Sequence, residues 1–137
     1  MKNYKKLFLL VFLFQIGFSF SQKKISKNKK LLIKSVEKHK TQLIKISDSI
    51  WSLAETAFEE TKSSKILADY AELQGFKVER GVANIPTAFV ATYGSGKPVI
   101  SVLGEFDALP GISQKAQPIK TPFKEGAAGH GCGHNLF

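Results

Sequence analysis

An α/β fold built on a mixed sheet is the class this sequence predicts, and two observations predict it. In the first half, apolar positions recur at alternating steps of four and three, the spacing of one helix face. In the second half, two short runs of strand-forming residues flank a glycine-rich turn, so neighbouring strands are expected. The residues left after position 21 suffice for the core of one domain.

Residues 1–21 place Lys2, Lys5 and Lys6 before the apolar run LFLLVFLFQIGF, which Ser19, Phe20 and Ser21 follow. That order of charged, apolar and small residues predicts an export signal cut before Gln22, and hence a periplasmic or secreted protein. The run holds 12 residues, against the roughly 20 that a membrane-spanning helix needs, and no later run is longer. No stable membrane anchor is expected, and no cysteine follows the signal to carry a lipid.

Residues 22–30 read as a basic linker, crowded by Lys23, Lys24, Lys27, Lys29 and Lys30. These lysines and those of the signal account for most of the net charge of +9, because 12 basic residues face 11 acidic ones from Leu31 onward. The charge belongs to a targeting segment and a solvated stretch. Without aromatic residues interleaved among basic ones, a nucleic-acid surface is excluded.

A long amphipathic helix is predicted from Leu32, Val36, His39, Leu43, Ile46, Ile50, Leu53 and Ala57. His39 stands on that stripe with no second ligand-type residue at helical spacing, and reads as a packed or half-exposed helix residue. A second helix is expected to start between Thr61 and Ser64, to turn Ile66, Leu67, Tyr70 and Leu73 inward, and to stop at Gly75.

Phe76-Lys77-Val78 looks like the entry to a strand. TAFVATY after Pro86 and PVISVLGEF after Lys97 follow as strand runs, with GSGK as the hairpin turn between them. Gly94-Ser95-Gly96-Lys97 lacks the full phosphate-loop pattern and is followed by Pro98, which removes a phosphate-binding role. Beyond Pro110 the chain is loop-like, with Pro118, Pro122, Gly126 and Gly129.

Two places could carry chemistry. Asp107 follows the second strand run, and catalytic or ligand groups of α/β proteins gather where strands open into loops. A turn-capping role fits the same local sequence. The second place is His130-Gly131-Cys132-Gly133-His134, with the only cysteine and two of the three histidines. A lone cysteine cannot form an internal disulfide. Three readings stay open on these residues: a metal site on Cys132 and His134, a cysteine nucleophile activated by histidine, or a tight glycine loop with solvated side chains.

The combination of IWSLAETAFEETKSS, LQGFKV, IPTAFVATYGSGKPVISVLGEFDALPGISQ and GHGCGHNLF resembles the amino-terminal part of the dinuclear-metal amidohydrolases related to aminoacylase, carboxypeptidase G and the amino-acid-conjugate hydrolases. The DALP and H-x-C-G-H signatures, in that order, carry the resemblance, which spans roughly residues 30 to 137. It implies a three-layer mixed-sheet metallopeptidase-type catalytic domain, of which 31–137 would be the incomplete amino-terminal part. It also implies two divalent metal ions, zinc or manganese. Cys132 would bridge them, His134 would bind one, Asp107 would orient a ligand or the attacking water, and His130 would contact substrate or support a ligand. Asn135 stands where many relatives have aspartate, which favours the aminobenzoyl-glutamate branch.

The reaction so implied is hydrolysis of an amide in N-acyl or N-aroyl amino acids or small peptides, with a small-molecule substrate. A homodimer would form in the longer protein through a smaller domain. The family's general-base glutamate and further ligands would follow the motif, so the chain alone is expected to hydrolyse nothing. The rival from a different class is an exported, non-catalytic metal- or ligand-binding module.

Overall fold

The computed structural model of the chain describes residues 25–136; the export signal expected over 1–21 lies outside them. Helix α1 spans Lys27–Leu53 and is 27 residues long. It begins inside the predicted linker, where Lys27, Asn28, Lys29 and Lys30 include no strong helix breaker.

The described residues fall into two units that divide between Lys38 and His39. In the first, Leu32 and Val36 are exposed, so the predicted apolar stripe buries nothing there. In the second, Ile46 and Ile50 are the buried positions of α1, and Ile50 is only 2% exposed. Ala57 falls beyond the helix, in an exposed turn.

Helix α2, Thr61–Leu73, starts where the sequence places it. Its buried face is small: Ser63, Ser64 and Ala68. Leu73, expected inward, is exposed at the last turn. The end is closed by Phe76 N–H donating to Ala71 O at 3.1 Å and Gly75 N–H to Glu72 O at 2.9 Å. That pair of bonds requires a left-handed residue after the helix, and Gly75 supplies it at φ 89°.

Strand β1, Lys77–Arg80, pairs antiparallel with β2, Phe89–Thr92, with Lys77 opposite Thr92 and Arg80 opposite Phe89. Arg80 also reaches α2, donating to Glu72 at 2.6 Å and Asp69 at 2.9 Å. The predicted mixed sheet is therefore a two-stranded antiparallel ribbon among the described residues, and the fold is α/β in the broad sense of helices beside a small sheet.

The hairpin expected across GSGK does not form among the described residues: β2 pairs with β1, and PVISVLGEF supplies no strand to its other edge. PVISVLGEF lies outside any strand, and Val99, Ile100, Val102 and Leu103 are 82%, 85%, 93% and 91% exposed. A run apolar on both faces is the pattern of a strand flanked and covered on both sides. Among the described residues nothing takes those places. No helix of the described residues is long and apolar enough to cross a membrane.

Candidate metal centre

The site is built where the exposed run ends. Glu105 and Asp107 flank Phe106 in the sequence, and both carboxylates reach one imidazole, that of His134. Phe106 stacks on Phe89 of β2 with ring centroids 6.1 Å apart, which leaves both carboxylates turned from that contact. Just past Asp107, Ala108 N–H donates to Glu55 O at 2.7 Å, and Thr56 and Ala108 form a parallel bridge. The residue after it, Leu109, exchanges bonds of 2.9 and 3.0 Å with Gly129. Asp107 is thus fixed between the segment after α1 and the segment entering the histidine loop.

Gly129 is buried at that junction, and a Cβ there would meet Ile112 O at 2.5 Å. Only glycine lets the two backbones approach so closely. The loop then carries His134 back over Asp107 through a short turn, Gly133 adopting φ 79°.

His134 Nδ1 lies 2.8 Å from Asp107 Oδ1 and Nε2 lies 3.1 Å from Glu105 Oε2. The side chains of His134 and Asp107 are 17% and 23% exposed, that of Glu105 55%. A carboxylate only accepts, so the Nδ1 proton belongs to the Asp107 bond and holds the ring's orientation. Nε2 then faces a second carboxylate oxygen. A divalent ion could be shared by that nitrogen and that oxygen. Glu105, Asp107 and His134 offer ligand atoms all within 4.8 Å of one another, and they form a donor set suited to a divalent ion.

Two other residues of the motif stand apart. Cys132 is an exposed free thiol outside this group of three. His130 turns inward: its Nε2–H donates to Ile50 O at 3.1 Å, and the buried Nδ1 has no partner. Burial holds the His130 imidazole below its ordinary pKa, although the Ile50 bond pulls the other way. Beside it opens a cleft of about 680 Å³ walled by Trp51, Ile112 and Phe123, with Lys115 and Lys124 among its lining. Trp51 and Phe123 meet edge to face, their centroids 5.4 Å apart.

The structure thus brings two sequence-predicted residues together, Asp107 and His134, while Cys132 and His130 fall outside their group of three donors. It adds Glu105, which the motifs alone do not single out. A signal for it is present all the same, since a residue two positions from Asp107 in an extended run shares its side.

A chain of helices beside a small sheet that sets two carboxylates at one imidazole, with a glycine loop held by isolated bridges, is an α/β protein with a candidate metal centre. Comparison with known proteins says which kind. A p-aminobenzoyl-glutamate hydrolase subunit from Escherichia coli (strain K12) is 50% identical over 106 residues, 75% of this chain and 22% of that protein. The thermostable carboxypeptidase 2 of Saccharolobus solfataricus is 30% identical over 95 residues, 68% of this chain and 23% of that protein. No family model matches. The chain belongs to the amidohydrolase and peptidase family that these two hydrolases represent. It spans less than a quarter of the length of either.

Proposed function

We propose that this chain contributes a metal centre to an exported enzyme that hydrolyses the amide bond of N-acyl or N-aroyl amino acids or small peptides, of the aminobenzoyl-glutamate type. The observation that carries the proposal is the His134 ring held by Asp107 with Nε2 facing Glu105. It sits in a chain half identical, over the matched segment, to a protein named for that hydrolysis.

In this reading His134, Glu105 and Cys132 are ligands for divalent ions, two in number and zinc or manganese in kind. Asp107 holds the imidazole in the tautomer that leaves Nε2 able to coordinate. When bound, such ions lower the pKa of water and polarise a carbonyl. The cleft beside His130 is the place for the acyl or aroyl part. Its aromatic walls fit a flat ring and Lys115 and Lys124 fit an anion. The dimer expected of the longer protein, and its export, belong to the same proposal. Export is checked by a mature protein that starts at Gln22.

The test is release of p-aminobenzoate or free amino acid by the protein carrying this segment, with and without zinc or manganese. His134→Ala is expected to abolish metal-dependent turnover, and unimpaired turnover in that variant refutes the assignment. By itself the 137-residue chain is expected to bind an ion weakly and cleave none of these amides. Its described residues offer one group of three donors and no additional carboxylate beside it.

A further inference from the structure

The glycines that let the histidine loop close also leave its backbone many conformations, so its geometry depends on what holds it. Two hydrogen bonds tie it to one face of α1. Asn135 Nδ2 donates to Ser47 Oγ at 3.1 Å, and His130 Nε2 donates to Ile50 O at 3.1 Å. Ser47 and Ile50 are three residues apart on a helix and therefore neighbours on its surface. The two loop residues they hold bracket Cys132 and His134, and the turn between them is closed by Gly133 N–H donating to His130 O at 3.2 Å.

We infer that Ser47 is a positioning residue of the metal centre, acting through Asn135 to fix the His134 imidazole between Asp107 and Glu105. Asn135 directly follows His134 in the chain, so an anchored amide at 135 restricts the backbone that aims the ring. The Asp107 bond fixes ring rotation. The Ser47 bond fixes where the ring stands. Ser47 lies 88 residues from Asn135 in the sequence, and no spacing rule marks it.

The inference rests on the metal-centre reading, and its test separates the two. Zn²⁺ binding by the 137-residue chain is measured by competition with a chromophoric chelator, with far-UV circular dichroism recorded alongside. Ser47→Thr keeps the hydroxyl and Ser47→Val keeps the shape without it. The Thr variant is expected to bind like the unsubstituted chain, and the Val and Asn135→Ala variants about tenfold more weakly, the low end for loss of a partner outside the ligand set. The Ser47→Val/Asn135→Ala double variant is expected to bind no more weakly than Asn135→Ala, because both changes remove one bond. Equal affinity in the Thr and Val variants, or additive losses, overturns the role of Ser47 and leaves the centre standing. No Zn²⁺ binding by the unsubstituted chain overturns the centre and the inference with it.

Discussion

Glu55 is the residue on which fold and site meet, and its substitution gives the most informative stability measurement. The side chain caps α2 from outside the helix. Its carboxylate accepts Ser63 N–H at 2.8 Å, Ser63 Oγ–H at 2.7 Å and Lys62 N–H at 3.2 Å, while Glu60, at the helix boundary, makes no side-chain cap. Loss of a capping side chain costs about 0.5–2 kcal/mol. Three donors on one charged acceptor put Glu55→Ala near the top of that range, at about 2 kcal/mol, and Glu55→Gln, which keeps one oxygen, at about 1 kcal/mol. Burial raises the Glu55 carboxyl, but the bonds from Ser63 and Lys62 outweigh it and hold the group below its ordinary 4.5. A carboxyl depressed in the folded state contributes stability above its unfolded pKa and loses it as pH falls through the folded one. The gap between Glu55→Gln and the unsubstituted chain should therefore narrow from pH 7 to about pH 3. Urea unfolding followed by circular dichroism at both pH values measures it. A loss below about 0.5 kcal/mol for Glu55→Ala, or a gap that does not change with pH, refutes the capping argument.

Further outcomes follow from the same structure. Ile50→Ala, at the most enclosed large side chain of α1, should cost about 2–5 kcal/mol in urea unfolding. Asp107→Asn should weaken Zn²⁺ binding by about 10–100-fold, since an amide can present its NH₂ to Nδ1 and disturb the tautomer; unchanged affinity would mean that Asp107 does not orient the ring. Cys132, exposed in its loop, should be open to a thiol reagent, and bound Zn²⁺ should slow the reaction if the thiolate is a ligand; an unchanged rate with Zn²⁺ bound would refute that ligand role. Val102→Lys, in the unpaired apolar run, should raise the concentration at which light scattering reports aggregation; no change would place the self-association elsewhere.

How legible each feature is in the sequence follows from how local it is. Helix α2 and its glycine stop are readable because a helix closes its own hydrogen bonds, so propensity and cap residues suffice. The partner of β2 is not, because a strand is defined by what pairs with it. TAFVATY has Phe76-Lys77-Val78 on one side in sequence and PVISVLGEF on the other, and only the ladder from Lys77 to Thr92 settles the choice. Asp107 and His134 stand out as site residues by type and position. That they touch depends on Gly129 and Ala108 drawing two loops together, a non-local fact. Ser47, which looks like any polar helix residue, gives no signal at all.

The difference between the residues read from the motif and the donor group gathered by the structure has a chemical sense. A thiolate and an imidazole two residues apart suit one soft ion, but they leave the imidazole's tautomer unspecified. Asp107 specifies it by accepting the Nδ1–H hydrogen bond, and Glu105 sets a carboxylate oxygen 3.1 Å from the other nitrogen. The two carboxylates are unequally exposed. Asp107, largely sheltered, has its bond to the ring protected from competing water, whereas Glu105, more than half exposed, has room to move onto an arriving ion. Cys132, exposed in the same loop, lies outside that group of three. The imidazole thus stands between a sheltered carboxylate and an exposed one, an arrangement that the linear motif His130 to His134 does not reveal.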